Sequence, residues 1–594
     1  MIHLVRHKTH LILLIILVVS GIVRFWGINF GLPSTECRPD ESTVMQISLR
    51  FFTGDLNPHF FNYPSFYMYL LFFVYIGYFL IGTIFGMFTS LSYFVASFIV
   101  YPSSFYLINR FIVACMGILT VFIVYKITLQ LFNKKTALIA TLFCGLAYLH
   151  VRESHFGVTD IPTTLFIMCS MMYIIKSQKH RTLKNFIIAG LFAGLATSTK
   201  YTGILLFIPM FFVHLFNIID NNDKKIKLFF DKKILLFSGT TIFVFLITNP
   251  FIILNFSKFI ADLMFEIDHL NRGHIMILNQ GWWYHLKFSL FFGLGWSLLF
   301  SSLLGFLLLI KVNIRKFIIL CSFPCIYYIL TGKGYTVFLR YIIPVIPFLC
   351  ITSAFLIGHV SDKLFKSLKP RLNYGITYLL AVLIITPSAY SITRFNSLLT
   401  KQDNRLTTKK WIEMNIKEGS SIYQTGDKWG KIQLHPTLGT LKQTLSKLSD
   451  LYESKGRHDQ VLKSEIDYLI AQIYYFKKKH VIGYDCWQYD SELKKFKYNY
   501  KYKNTLPDYI IIQESPLTAY SKVHKKIMES VRTAYNLRKA FKVSDVRNKE
   551  NLFDQQDCFF IPYVGFKDVT QPGPNYYIFE KKSHPPDQTN RYQE

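Results

Sequence analysis

The chain has 594 residues, of which 51% are hydrophobic and 17% aromatic, including 56 Phe and 37 Tyr, and its mean hydropathy is +0.28. A soluble enzyme of this size carries far less apolar surface, so that class is excluded. The 17% of residues that are charged comprise 66 Lys and Arg against 36 Asp and Glu, a net charge of +30. The imbalance is uneven: residues 1–393 hold 32 basic and 13 acidic side chains, residues 394–594 hold 34 and 23. Nine cysteines without a Cys-x-x-Cys pair or His/Cys ligand spacing argue against redox or structural zinc chemistry.

A helix needs roughly 20 apolar residues to cross a bilayer. The first such stretch runs from Leu11 to Phe30 behind Arg6, His7 and Lys8, and Gly21–Trp26 offers no small-residue cleavage site, so it reads as a retained span. Further apolar segments follow near 108–132, 136–150, 158–176, 185–198, 201–218, 234–255, 284–310, 316–331, 338–358 and 372–393. Basic clusters mark every second loop: Lys126 with Lys134 and Lys135; Lys176, Lys179, Arg181 and Lys184; Lys224, Lys225, Lys227, Lys232 and Lys233; Lys311, Arg315 and Lys316; Lys363, Lys366, Lys369 and Arg371. Because Lys and Arg accumulate on the cytoplasmic side, the N-terminus is expected there and everything after Arg394 outside, in a multi-pass protein of the cell (inner) membrane. Residues 64–107 are apolar but interrupted by Pro64, Pro102 and several glycines, and parity requires them to cross twice or not at all. The expected fold is thus a polytopic α-helical membrane protein of 11 to 13 transmembrane helices. Residues 1–393 form its membrane module, with a first outer loop at 31–64 and a membrane-dipping or spanning segment at 64–107. Residues 394–594, with the alternating run Tyr498–Tyr502 and the strand-like Asp508–Ile512, read as an extracytoplasmic soluble domain of α/β or α+β type.

Acids are scarce enough in the membrane module that each needs a reason. Asp220, Asp223, Asp231 and Asp362 fall among lysines in cytoplasmic loops, where solvation explains them. Glu36, Asp40, Glu41, Asp55, Glu153, Asp160, Asp262, Glu266 and Asp268 face outward, several of them next to spans, where a carboxylate is costly without a partner or a task. Each also has a structural explanation: Asp40 and Glu41 as acids at a helix N-terminus, Arg152, Glu153, His155 and Asp160 as an interfacial ion cluster, Lys200 and Arg340 as side chains reaching for lipid phosphates.

The ordered set of motifs carries more weight than any one of them. Arg38-Pro39-Asp40-Glu41 is followed by Gly54–Ser65, with Asn62-Tyr63-Pro64-Ser65 at its end, then by Val151–Asp160, Ser198–Gly203 and Phe338–Pro347 with its Arg340-Tyr341-Ile342-Ile343-Pro344. This series resembles the GT-C superfamily of polyprenyl-phosphate-sugar glycosyltransferases, in the branch of protein O-mannosyltransferases and lipid A aminoarabinose transferases. Asp403-Asn404-Arg405 followed by Trp411-Ile412 resembles that branch's Asp-Thr-Arg opening of the outer domain, with Asn404 a departure. The resemblance covers residues 1–420 well and the remainder weakly.

The resemblance implies a GT-C fold and an inverting transfer of sugar from a polyprenyl-phosphate donor to a protein, lipid or surface-glycan acceptor on the outer face. The leaving group is already a phosphate, so the reaction needs a base for the acceptor and fixed cations for the phosphate rather than a general acid. By the same resemblance Asp40 is the base, Glu41 positions a substrate and Asp160 orients or balances charge. Arg340 is the principal phosphate clamp, with Lys200 and Arg152 behind it, since guanidinium offers phosphate a bidentate fork. His59, His155, Tyr63 and Tyr341 complete the expected substrate-binding set. No cofactor or metal site is assigned; a divalent cation would find His59 or His155. The expected partners are the lipid-linked donor, the acceptor and membrane lipids, with no nucleic acid. The alternative is a polytopic transporter or flippase of lipid-linked sugars, which places ionisable residues along mid-span paths; here the span centres are nearly free of acids.

Overall fold

The computed structural model describes residues 2–220, 231–456, 459–499 and 501–583. Asp223, Lys224, Lys225, Lys227 and Tyr500 lie outside the described residues, as do the side chains of Arg6, His7 and Lys8. The apolar segments read from the sequence fold as helices, among them Ile2–Phe25, Pro102–Leu131, Lys134–Gly145, Asp160–Lys179, Leu183–Thr199, Phe207–Asp220, Lys232–Thr248, Trp296–Val312, Ile314–Gly332, Ile346–Leu364 and Pro370–Leu399. Three helices at the lysine-rich end of the bundle start with a capping side chain: Asn133 accepts from Thr136 N, Asp231 from Lys233 N and Asn313 from Lys316 N. Lysines beside these N-termini oppose the helix dipole, so helix stability does not account for their being there.

Among the described residues six helices are long and apolar enough to cross a bilayer by length and composition, and a seventh is added if Gly281–Leu294 and Trp296–Val312 count as one span bent by 115°. The bend sits at Gly295, whose φ of 79° and whose contact with Pro387, 3.1 Å from a built Cβ, leave no room for a side chain. The first helix, Ile2–Phe25, has 24 residues, and Leu183–Thr199 is apolar but shorter. A total of 11 is therefore reached only with helices that fall below the usual spanning length.

Within residues 64–107 the Phe66–Ile84 helix has spanning length, but Leu91–Val100 has only ten residues. Tyr67 donates to Asn109 Oδ1 at 2.7 Å and Tyr75 to the Phe105 carbonyl at 3.1 Å. Phe66–Ile84 therefore runs antiparallel to the start of Pro102–Leu131 and heads away from that helix's lysine-rich end. Leu91–Val100 then lies near the outer domain, where Tyr101 meets Tyr475 with ring centroids 6.2 Å apart.

Helix packing inside the bundle is closest where side chains are smallest. Gly190 and Gly194 form a Gly-x-x-x-Gly stripe on Leu183–Thr199, against Lys232–Thr248. A Cβ on Gly190 would lie 2.6 Å from the Phe237 carbonyl oxygen, and one on Gly194 would lie 2.7 Å from Val244 Cβ. The Thr241 hydroxyl donates to the Gly190 carbonyl at 3.2 Å across the same seam.

Beyond Pro370–Leu399 the chain builds one seven-stranded sheet of order β4-β3-β2-β1-β5-β7-β6. Its strands are β1 (Ser421–Gln424), β2 (Asp485–Asp490), β3 (Lys495–Tyr498), β4 (Lys501–Lys503), β5 (Tyr509–Glu514), β6 (Tyr535–Phe541) and β7 (Asn575–Lys581). β1 pairs in parallel with β2 and β5, and the remaining pairs are antiparallel. The run expected as a strand at 508–512 is β5, and it is buried on both faces. Tyr509 and Ile511 join Ile412 of the Asn404–Asn415 helix, while Ile510 and Ile512 join Ile527 and Val531 of Lys525–Ala534, which is why this strand is continuously apolar. Between β6 and β7 the chain leaves the sheet as a strap, residues 551–566, whose Phe559, Ile561, Tyr563 and Phe566 belong to the membrane module's own core. Tyr563 donates to the Ser289 carbonyl at 2.9 Å, and Tyr148 donates to the Tyr563 carbonyl at 2.9 Å.

Gly194→Val is expected to force the Leu183–Thr199 and Lys232–Thr248 helices apart and to cost about 1–3 kcal/mol. Thermal unfolding of the purified protein in detergent should show this as a lowered midpoint; an unchanged midpoint would mean the two helices are not packed as described.

Candidate active site

The loop after the first helix separates the two acids that the sequence presents as a pair. Asp40 stands at the N-cap of Glu41–Arg50 in the left-handed region, φ 69°, and its side chain makes no capping hydrogen bond. Its carboxylate turns to Arg340 instead, Oδ2 accepting from Nη2 at 2.8 Å, and stays 31% exposed. Glu41 is buried and receives both Nε (2.9 Å) and Nη2 (2.7 Å) of Arg110 and the Gly157 N–H (2.7 Å). Glu41 thus ties the loop to two later segments, and with these bonds made its carboxylate has a structural place rather than the substrate-positioning one expected of it.

Arg340 follows Leu339 in the seven-residue 3-10 segment Leu339–Val345 that opens the Ile346–Leu364 helix. Its guanidinium lies 4.1 Å from the Phe338 ring centroid and faces three carboxylates. Nη2 donates to Asp40, Nη1 donates to Asp557 Oδ2 at 3.1 Å, and Nε stands 4.0 Å from Asp160 Oδ2. Asp160, at the start of Asp160–Lys179, takes the Lys200 ammonium on its other oxygen at 2.5 Å, and Lys200 lies 5.2 Å from the Tyr341 ring centroid. Tyr63 is raised well above the usual phenol pKa by burial and then by the charge of Asp40. Asp40, Asp160, Arg340, Lys200, Tyr63 and Tyr341 are therefore one neighbourhood assembled from five distant stretches of chain.

Three other expected residues are engaged elsewhere. Arg152 is buried beneath the Phe156, Phe395, Phe559 and Tyr563 rings, with Glu153 as its partner, so aromatic walls rather than a substrate cavity surround it. The ring nitrogens of His155 face the Val151 carbonyl at 2.9 Å and the Trp26 carbonyl at 3.1 Å. His59 pairs with Asp55 at 2.8 Å and is 45% exposed, a loop contact of its own. Among the described residues no three His, Cys, Asp or Glu side chains are grouped to hold a metal ion. Asp403 and Arg405 bind each other at 2.7 Å, and Arg405 donates to the Glu36 carbonyl at 3.2 Å, fastening the C-terminal sheet domain to the loop after the first helix.

The sequence did not single out the strap, which brings Asp554, Gln556 and Asp557 to the back of Arg340. The Leu339 N–H donates to Asp554 Oδ2 at 3.1 Å. Gln556 accepts from Val337 N at 2.7 Å and donates to the Met276 and Tyr335 carbonyls at 2.8 and 2.9 Å. Asp557 also receives Arg38 Nη1 at 2.5 Å. Burial favours protonation of Asp557, but Arg38, Arg340 and Arg152 outweigh it and hold the group below the usual carboxylate range. Asp554 is pushed up to about 6 by burial and by the charge of Asp557. Behind the strap lies a cavity of about 980 Å³ lined by Tyr284, Gln513, Asn548 and Phe553 among others; it contains neither Asp40 nor Arg340.

A carboxyl whose folded-state pKa is raised destabilises the fold when it ionises. Stability is therefore expected to rise as pH falls from 7 towards 5 and Asp554 gains its proton. Asp554→Asn should flatten that slope in thermal unfolding; an equally steep slope in the variant would place the titrating group elsewhere.

No curated protein matches the chain in sequence. The solved structures it is similar to include ArnT from Cupriavidus metallidurans in the apo state, at 16% identity over 80% of this chain and 76% of that one, TM-score 0.44. They also include the Archaeoglobus fulgidus oligosaccharyltransferase tethered with an acceptor peptide, at 13% identity over 97% and 88%, TM-score 0.48. A third is AglB of the same organism with an inhibitory peptide and a dolichol-phosphate, at 12% identity over 97% and 88%, TM-score 0.47. Likeness of this degree transfers no activity. Residues 105–253, which carry Arg110, Asp160 and Lys200, match the family described as dolichyl-phosphate-mannose-protein mannosyltransferase. The match takes in 149 of the chain's 594 residues and is a likeness of that segment alone.

Proposed function

We propose that the protein is an inverting glycosyltransferase that moves a sugar from a polyprenyl-phosphate donor to an acceptor hydroxyl on the outer face of the membrane, with Asp40 as base and Arg340 as phosphate clamp. The observation that carries the reading is the state of Asp40. Its neighbour Glu41 is buried and fully paired, whereas Asp40 declines the capping role its position offers and keeps a half-open carboxylate on the one guanidinium that also meets Asp160.

Chemistry follows from that contact. Arg340 Nη2 donates to Asp40 Oδ2 at 2.8 Å, and an ion-paired carboxylate is a poor base. A donor phosphate approaching Arg340 and Lys200 competes for those donors and releases Asp40. The acceptor oxygen then attacks the anomeric carbon from the side opposite the phosphate as its proton passes to Asp40. The bond from that carbon to the phosphate oxygen breaks with its electron pair, leaving a polyprenyl phosphate whose added charge Arg340 and Lys200 meet. One displacement inverts the anomeric centre. Donor arrival and base activation are thereby linked.

The same reading orders the chain in the membrane. The helix ends bearing Asp40, Asp160, Lys200 and Arg340 share the outer face, the lysine-rich loops face the cytoplasm, and residues 64–107 stay on the outer side without crossing. This orientation rests on the loop charges and on the antiparallel course of Phe66–Ile84.

Asp40→Asn is expected to lower transfer from a synthetic polyprenyl-phosphate sugar by about 100-fold to 10,000-fold with normal folding. Glu41→Gln should instead lower yield and thermal midpoint, because it leaves Arg110 buried without its counter-charge. A fully active Asp40→Asn beside a well-folded, inactive Glu41→Gln would transfer the base to Glu41. Arg340→Ala should lose roughly 10-fold to 150-fold in efficiency, the range of a hydrogen bond to an ion, and Arg340→Lys less. An Arg340→Ala variant within twofold of wild type would remove Arg340 from the site.

A further inference from the structure

The outer domain does more than cover the membrane module. We infer that Asp557, carried into the membrane module by the 551–566 strap, is a positioning residue that fixes the Arg340 guanidinium for the donor phosphate, so that the outer domain completes the site; the inference rests on the reading of Arg340 as the clamp.

The argument is geometric. A guanidinium grips a phosphate through two neighbouring N–H groups. On Arg340 the edge formed by Nη2 and Nε is turned towards the partly exposed Asp40 at 2.8 Å and towards Asp160 at 4.0 Å. The remaining nitrogen, Nη1, is the one that Asp557 holds at 3.1 Å. The strap therefore binds the part of the clamp that a phosphate fork does not use and leaves the useful edge forward. Asp557 is itself held: Arg38 Nη1 reaches it at 2.5 Å, and Arg38 lies two residues before Asp40 in the same loop. One carboxylate thus joins the loop carrying the base to the side chain acting as clamp. Its flanks are fastened independently, by Gln556 on Met276, Tyr335 and Val337 and by Tyr563 on Ser289, so loss of the Asp557 charge alone need not undock the strap.

Lysine at position 340 has a single ammonium and cannot be held from behind while presenting a second donor in front. The role therefore predicts a specific non-additivity, which a residue that merely docks the domain would not produce. The experiment is steady-state transfer by the purified full-length protein in nanodiscs, from a synthetic polyprenyl-phosphate sugar, for wild type, Asp557→Asn, Asp557→Glu, Arg340→Lys and both double variants. Asp557→Asn is expected to raise the donor KM about tenfold, the scale of one charge-assisted contact, with kcat affected less. Asp557→Glu should recover part of the loss, and neither change should matter by more than about twofold once residue 340 is lysine. Equal damage by Asp557→Asn in the arginine and lysine backgrounds would reduce Asp557 to domain docking and overturn the inference. So would a KM within twofold of wild type for Asp557→Asn. If Asp557→Asn proves too unstable to assay, Asp557→Glu in the two backgrounds decides the matter by the same comparison. Unchanged kinetics for Arg340→Lys and Arg340→Ala would instead defeat the clamp itself, a separate failure.

Discussion

One guanidinium organises this site. Arg340 stands between Asp40 of the loop after the first helix, Asp160 at the head of a helix and Asp557 of the C-terminal sheet domain, and no two of these lie within a hundred residues of one another in the chain. Each carboxylate alone would be a liability at a membrane face, and so would the arginine. Paired, they draw loop, bundle and outer domain together at a single point. The sites of Arg110, Arg38 and Arg405 repeat the device around it: Arg110 locks Glu41, Arg38 meets Asp557 and Glu153, and Arg405 holds Asp403.

Stability alone is a weak reason for such a cluster. Replacing a buried ion pair by well-packed apolar residues is often neutral or stabilising, whereas removing one partner costs about 3–5 kcal/mol. The bundle has apolar packing enough elsewhere, as the glycine seam at Gly190 and Gly194 illustrates. What an apolar replacement cannot supply is a cation held ready for an anion next to a carboxylate ready to accept a proton. The asymmetry between Asp40, partly exposed and in an unfavourable backbone region, and Glu41, buried and satisfied, points the same way: strain and partial exposure coincide on one residue.

How much of this was legible in the sequence depends on the range of the interaction. Helices were legible because a run of apolar residues is a local property, and β5 was legible because burial on both faces makes a strand uniformly apolar. Asp40 and Asp160 stood out because acids are rare in the membrane module, and Lys200 and Arg340 because they lie in segments that resemble those of a known family. Glu41, Arg152 and His155 were assigned to substrates because the groups that occupy them, Arg110, the aromatic rings around Phe559 and the Trp26 carbonyl, lie far away in sequence. Asp554 and Asp557 were invisible for the converse reason. They sit in a region rich in acids, where one more carboxylate carries no signal, and the resemblance weakens beyond residue 420. The course of Phe66–Ile84 was equally hidden: its composition is that of a membrane span, and only the pairing of Tyr67 and Tyr75 with Asn109 and Phe105 shows which way it runs.

The account turns on an exchange of partners at Arg340, and a structure of the protein with a non-transferable polyprenyl-phosphate sugar tests it most directly. The prediction is that Arg340 Nη2 and Nε lie within hydrogen-bond distance of the donor phosphate, that the Asp40 carboxylate has lost its contact with Nη2 and faces the anomeric carbon, and that Nη1 remains on Asp557. A phosphate bound away from Arg340, with the contact between Arg340 and Asp40 intact, would contradict it.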